Sequence, residues 1–189
     1  MGYIGNITEE KEMKIFMPFA NGFEEIEALA TIDLLRRAGI EIDMVGVVGT
    51  VMESGRGVKV VMDKKINDIV IDDYDGIVLP GGRKGVENLG RSKVVMDAIK
   101  KLNSSGKLVA AICYSPVLLA RAGVLENRKA TIYPGKEREI PYPREDKVVV
   151  DNNIITSQGP ATTIDFALSI IKYLVGPEEA NKVRKAVLA

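Results

Sequence analysis

Short apolar runs alternate with amphipathic segments along most of the chain. The apolar runs predict buried strands at residues 15–19, 42–48, 58–62, 76–79, 108–112, 131–133, 148–151 and 154–157. The amphipathic segments predict helices from Phe23 to a stop at Gly39, from Ser92 to about residue 102, over 117–122 and over 162–174. Strands that alternate with helices in this way are typical of an α/β fold, in which helices cover both faces of a mostly parallel sheet.

Polar and glycine-containing stretches follow several of the predicted strands. In an open parallel sheet, ligands bind beyond the carboxyl ends of the strands. We therefore expect one functional site at this edge of the sheet. It should combine four stretches of the sequence, which are residues 21–27, 80–82, 113–115 and 158–162.

Length and charge restrict the class of protein. The 189 residues are 46% hydrophobic and carry 26 basic and 26 acidic side chains, so no net charge attracts nucleic acid or an anionic membrane surface. No apolar run reaches the ~18 residues of a membrane span, and the polar N-terminus lacks the features of a signal peptide. We expect a cytoplasmic protein with no nucleic-acid or membrane partner, formed by one domain over 13–189 and a frayed extension over 1–12.

The sequence contains one cysteine, Cys113, and no histidine. A cysteine–histidine pair within the chain is therefore excluded. The usual zinc ligand sets require several cysteine or histidine side chains, so we expect no metal site. A single cysteine also forms no disulfide within the chain and suits a reducing compartment.

Cys113 lies where a buried strand is predicted to run directly into a helix. A helix N-terminus favours a thiolate, and its free N–H groups stabilise an oxyanion. The Pro80-Gly81-Gly82 turn offers further N–H groups with no side chain to block them. Alternatively, a lone cysteine after an apolar run is a small buried hydrophobe. Position alone leaves both interpretations open.

Acidic residues cluster at the start of the first predicted helix, at Glu24, Glu25 and Glu27. Carboxylates at a helix N-terminus often serve only to stabilise that helix. Glu24 and Glu27 are three residues apart and share a face, so one of them can point over the sheet edge toward Cys113. Because histidine is absent, a carboxyl group is the natural candidate for acid–base catalysis.

Five motifs together resemble the ThiJ/PfpI superfamily, and the resemblance extends from residue 13 to about residue 175. They read ANGFEEIEA, DGIVLPGGR, AAICYSP, AGVLENRKATIYPG and TSQGPAT. The resemblance implies a flavodoxin-like three-layer sandwich, similar to class I glutamine amidotransferase domains. It also implies that Cys113 is the nucleophile and that Glu27 hydrogen-bonds to its sulfur.

Three positions depart from the pattern of this superfamily. Peptidase-type members have a histidine after the cysteine, where this chain has Tyr114. Deglycase-type members bring a histidine and an arginine to the site, where this chain has Tyr133 and Gln158. Arg56 remains as a candidate contact for an anionic group.

The resemblance implies a cysteine-dependent enzyme without a cofactor, which acts as a glyoxalase or deglycase on small reactive aldehydes or glycated proteins. Cys113 and Glu27 would be catalytic, and Gly82, Tyr114, Arg56 and Tyr133 would bind the oxyanion or the substrate. A PfpI-type cysteine peptidase, with Glu87 contributed by a neighbouring subunit, and a non-enzymatic redox-sensing chaperone remain alternatives. A homodimer or a higher homo-oligomer is expected.

Overall fold

The computed structural model of the chain describes residues 13–189. The strands are β1 (Lys14–Phe19), β2 (Glu41–Gly46), β3 (Val51–Glu53), β4 (Lys59–Val61), β5 (Lys64–Lys65), β6 (Gly76–Leu79), β7 (Leu108–Ile112), β8 (Val148–Asp151) and β9 (Ile154–Ser157). The helices are α1 (Glu25–Arg37), α2 (Arg83–Leu89), α3 (Lys93–Ser104), α4 (Pro116–Arg121), α5 (Thr163–Val175) and α6 (Pro177–Ala186). The expected extension over 1–12 lies outside the described residues, and the single domain over 13–189 stays a prediction.

Seven of the strands form one sheet in the order β5-β2-β1-β6-β7-β9-β8. All neighbours in this sheet are parallel except β8 and β9, which are antiparallel. Strands β3 and β4 form a separate antiparallel hairpin. The predicted three-layer α/β fold with a mostly parallel sheet is therefore confirmed.

Apolar side chains cover both faces of the sheet. In β7, Leu108, Ala110 and Ile112 pack into one core with α1 and α5, whereas Val109 and Ala111 pack into a second core with α2, α3 and α4. This alternation explains why β7 is apolar throughout, because side chains on both of its faces leave water.

The prediction of a strand at residues 131–133 is wrong. Strand β8 already pairs with β9 along the edge that this segment would need. The Thr131 N–H instead donates to the side-chain oxygen of Thr156, and the Tyr133 N–H donates to the carbonyl of Cys113. The segment therefore crosses the carboxyl edge of the sheet rather than extending it.

The close approach of β6 and β7 requires glycine at position 76. A Cβ atom there would lie 2.6 Å from Cβ and 2.9 Å from the carbonyl oxygen of Leu108, its partner residue on β7. We expect Gly76→Ala to lower the free energy of unfolding by about 2 kcal/mol in denaturant titrations, because the two strands must separate.

Gly49→Ala is the matched control, since the nearest atom to a Cβ there is the Cε of Met52 at 3.7 Å. Its effect should stay within about 0.5 kcal/mol. Equal effects of the two substitutions would contradict the packing described for β6 and β7.

Candidate functional site at the carboxyl edge of the sheet

Cys113 occupies a tight turn between β7 and α4. Its backbone adopts a left-handed conformation with φ of 65°, which is unfavourable for a residue with a side chain. Two hydrogen bonds hold it there: its N–H donates to Ser157 at 2.9 Å, and its carbonyl accepts from the Tyr133 N–H at 2.8 Å. The turn directs the thiol out of the sheet plane and leaves it partly exposed.

Ser115 ties this turn to the glycine-rich turn after β6. Its side chain is fully buried, and its hydroxyl donates to the carbonyl of Pro80. The carbonyl of Gly81, the next residue, accepts from the Glu24 N–H at 3.0 Å. Three of the four stretches that we expected to meet are therefore joined by direct hydrogen bonds.

Glu27 lies in the first turn of α1 and points inward to the sheet edge. The Glu24 carboxylate caps the helix by accepting from the Glu27 N–H at 2.7 Å. The Glu27 side chain is 0% exposed, and its Oε2 accepts from the Gly81 N–H at 2.8 Å. This geometry agrees with the hypothesis that one of these two glutamates points at the site. The other glutamate stabilises the helix.

Gly81 permits the approach of Glu27 and Cys113. A Cβ atom at position 81 would lie 2.2 Å from Oε2 of Glu27, 2.5 Å from Cβ of Cys113 and 3.1 Å from its sulfur. No side chain fits into this space. Gly82 was the predicted site residue and Gly81 was not, because a Pro-Gly-Gly turn does not show which glycine faces the carboxyl group.

Burial raises the pKa values of both Glu27 and Cys113. It is the largest cause of the rise in the pKa of Glu27 to about 8, and the nearby Glu24 carboxylate adds to it. Burial, followed by the charge of Glu27, raises the pKa of Cys113 to about 12. A low-dielectric environment disfavours the charged form of either group, and two neighbouring anions repel each other.

The two shifts favour a protonated Glu27 carboxyl group at neutral pH and oppose ionisation of the Cys113 thiol. The helix that follows Cys113 has only six residues, and its dipole does not compensate for the loss of hydration around the sulfur. The pair loses its first proton near pH 8. In the resulting monoanion, Glu27 and Cys113 share one proton and titrate as a coupled pair.

Interaction with the backbone N–H groups of Gly82 and Tyr114 lowers the pKa of Cys113 and offsets part of the rise. Gly82 adopts a left-handed conformation with φ of 87°, which turns its N–H toward the site. A Cβ atom at Gly82 would also lie only 2.4 Å from the Gly22 carbonyl oxygen. Donors placed in this way suit an oxyanion that forms next to the sulfur.

The other predicted site residues lie around this centre. The Tyr114 hydroxyl points away from the sulfur and donates to Glu139 at 2.8 Å. Tyr133 is 48% exposed, and its ring lies next to Gly159. Arg56 lines a cavity of about 700 Å³ together with Gly82, but Cys113 does not line it.

Gln158 does not join the centre, because its side chain donates to the carbonyl of Glu145 at 2.9 Å. Within residues 13–189, no group of three or more cysteine or acidic side chains is arranged to hold a metal ion. In the same part of the chain, no helix is long and apolar enough to cross a membrane.

The shared titration predicts how Cys113 reacts with iodoacetamide as pH changes. In the wild type, the alkylation rate should rise about tenfold per pH unit and level off above pH 8, where the pair has lost its first proton. In Glu27→Gln, the inflection near pH 8 should disappear, because the group that ionises there is absent. The same inflection in Glu27→Gln and in Glu27→Ala would show that the two residues do not interact.

Comparisons of the sequence and of the structure with known proteins point to one family. The profile of the DJ-1/PfpI family matches residues 13–173. Protein dj-1beta of Drosophila melanogaster is 37% identical over 174 residues, which cover 89% of this chain and 93% of the fly protein. The Caenorhabditis elegans protein named glutathione-independent glyoxalase DJR-1.2 is 33% identical over 182 residues, which cover 95% of this chain and 97% of the worm protein.

The structure described as Toxoplasma gondii DJ-1, oxidized, has a TM-score of 0.90 and 39% identity, and the match covers 93% of this chain and 98% of that chain. The resemblance to the ThiJ/PfpI superfamily is thus confirmed, and this chain belongs to the DJ-1/PfpI family.

Proposed function

We propose that this protein is a cysteine-dependent enzyme that converts small reactive carbonyl compounds, with glyoxal as the simplest substrate. Cys113 is the nucleophile, and Glu27 moves protons. The observation that carries the proposal is the buried Glu27 carboxyl group beside the only thiol of the chain, with the N–H groups of Gly82 and Tyr114 on the same sulfur.

The first step is addition of the thiol to an aldehyde. A bond forms between sulfur and the carbonyl carbon, the C=O π bond opens, and the sulfur proton passes through Glu27 to the former carbonyl oxygen. While negative charge develops on that oxygen, the N–H groups of Gly82 and Tyr114 stabilise it. The product is a hemithioacetal on Cys113.

The second step moves hydrogen between the two carbons of the substrate. In the fraction of molecules in which Glu27 is ionised, its carboxylate removes the proton from the carbon bound to sulfur, and the electron pair forms an enediolate with the adjacent carbonyl. Glu27 returns this proton to the second carbon, and the proton of the hemithioacetal hydroxyl moves to the second oxygen, which gives a thioester with a terminal alcohol. Water then cleaves the carbon–sulfur bond, which releases glycolate and restores the thiol.

The electrons balance within the substrate, because one carbon is oxidised and its neighbour is reduced. Only water is consumed. Glu27 suits the role of base, since its pKa of about 8 lies close to neutral pH. The name of the Caenorhabditis elegans relative, a glutathione-independent glyoxalase, supports the same substrate class. Glyoxal adducts on proteins are a further candidate class of substrate.

The peptidase alternative has less support in the residues present. Amide cleavage needs a group that protonates the leaving amine, and cysteine peptidases use a histidine for this purpose. The chain has no histidine. Glu87, which we considered as a contribution from a neighbouring subunit, pairs with Arg83 of its own helix at 3.3 Å. Self-association stays a prediction.

Oxidation of Cys113 is a second candidate function. Two equivalents of peroxide would add two oxygens to the sulfur and leave as two waters, giving a sulfinic acid. The protonated Glu27 carboxyl and the N–H groups of Gly82 and Tyr114 would donate hydrogen bonds to those oxygens. The description of the similar Toxoplasma gondii structure as oxidized favours testing this role.

Three assays on the wild type and on Cys113→Ala separate these functions. We expect the wild type to convert glyoxal to glycolate. The rate of Cys113→Ala should be at least about 100-fold lower, because no other residue supplies the nucleophile. Peptide cleavage is measured on the same samples. Intact mass after mild peroxide treatment reports oxygen addition without turnover.

Cys113→Ser, prepared in parallel, shows whether a contaminating enzyme causes the glyoxal consumption. Its rate should fall with that of Cys113→Ala. Glyoxal turnover that survives in both variants would overturn the proposal. Oxygen addition in the wild type with no aldehyde turnover would favour the redox function instead.

A further inference from the structure

Residues 133–139, here called the strap, cross the site immediately beside Cys113. Two buried core residues, Ile132 and Ile140, flank the strap. At its start, the Tyr133 N–H donates to the carbonyl of Cys113 at 2.8 Å. Its last three residues form a short 3-10 helix, so the strap is a compact turn between two fixed points.

The side chain of Tyr114 anchors the other end of the strap. Its hydroxyl donates to Oε2 of Glu139 at 2.8 Å. The Nζ of Lys136 lies 5.9 Å from the centre of the Tyr114 ring and 3.4 Å from Oε1 of Glu139. One aromatic side chain thus contacts two charged residues of the strap.

The Tyr114 hydroxyl is held as a donor by this arrangement. The hydrogen bond to Glu139 is the largest cause of a rise in the Tyr114 pKa, so the phenol stays protonated over the physiological range. Its backbone N–H faces the sulfur, while its side chain faces the strap. The residue next to the nucleophile therefore joins the oxyanion donors to the strap that carries Tyr133.

We propose that the Tyr114 side chain, acting through Glu139 and Lys136, holds the strap against the turn and so limits access to Cys113 to small carbonyl compounds. Tyr114 is then a positioning residue that determines specificity. The inference deepens the proposed function, on which its reference to carbonyl substrates rests. Closure of the strap itself is independent of that function.

Thiol-reactive probes of different size test the closure without any substrate. The alkylation rates of Cys113 with iodoacetamide and with fluorescein maleimide are measured at pH 8.5, and their ratio reports access. In Tyr114→Phe, the rate with the maleimide should rise at least fivefold relative to iodoacetamide, because the ring remains but its hydrogen bond to the strap is lost. Glu139→Ala breaks the same bond from the other side and should give the same change.

Two further variants are controls. Glu139→Gln keeps an oxygen that accepts from Tyr114 and should stay within twofold of the wild-type ratio. Tyr142→Phe removes a hydroxyl that bonds Asn127 at 3.3 Å, away from the strap, and should not change the ratio. A ratio within twofold of the wild type in both Tyr114→Phe and Glu139→Ala, or an equal rise in Tyr142→Phe, would overturn the proposal.

Turnover gives a second readout for the same contact. In Glu139→Ala, which breaks the hydrogen bond to the Tyr114 hydroxyl from the strap side, the KM for phenylglyoxal should fall relative to that for glyoxal, while kcat for glyoxal changes less than twofold. An unchanged ratio of KM values contradicts the size limit. Absence of glyoxal turnover in the wild type would count against the proposed function, whereas the probe ratios would still decide whether the strap limits access.

Discussion

The buried carboxyl group of Glu27 is the constraint on which the site depends. It sits with no exposed surface between the first turn of α1 and the turn after β6, and it accepts one hydrogen bond, from the Gly81 N–H. Its other oxygen, Oε1, has no well-formed hydrogen bond within residues 13–189. The adjacent thiol of Cys113 nevertheless interacts with the carboxyl group closely enough to influence its pKa.

This burial has a thermodynamic consequence. The pKa of Glu27 rises from 4.5 to about 8 on folding, so the folded state holds a proton that the unfolded chain releases. The stabilisation from the neutral, buried carboxyl group is complete below pH 4.5 and is lost as pH rises through 8. Relative to an exposed carboxyl group, the buried Glu27 therefore lowers the stability of the fold at neutral pH. Such a cost is typical of a functional site.

Much of the scaffold could be predicted because its elements are buried on both faces. Strands β6, β7, β8 and β9 have the predicted bounds, and α3 begins directly after Ser92, close to the predicted start. The orientation of α1 was harder to predict. A hydrophobic pattern would bury Ile26 and expose Glu27, whereas Ile26 is 55% exposed and Glu27 is 0% exposed. Contacts of the first turn with the Gly81 turn decide this orientation, and they are not visible in local periodicity.

Contacts between distant parts of the chain account for the features of the fold and the site that could not be predicted from the sequence. Tyr114 and Glu139 are 25 residues apart, and no spacing rule joins a turn residue to a later loop. The segment at residues 131–133 has the composition of a strand, but β8 already occupies the sheet edge beside β9. The acidic start of α1 and the Pro-Gly-Gly turn indicated the location of the site. The protonation state of the cysteine depended on burial, which the sequence does not report directly.

Infrared difference spectroscopy tests most directly whether Glu27 carries a proton in the folded protein. Spectra of the wild type minus Glu27→Gln, recorded from pH 5 to pH 10, isolate the carbonyl band of this one carboxylic acid. We predict that the band of the protonated acid persists at pH 7 and disappears with a midpoint near pH 8, as the pKa of about 8 requires. A band already absent at pH 6 would show an ionised Glu27 and would contradict the account of the site.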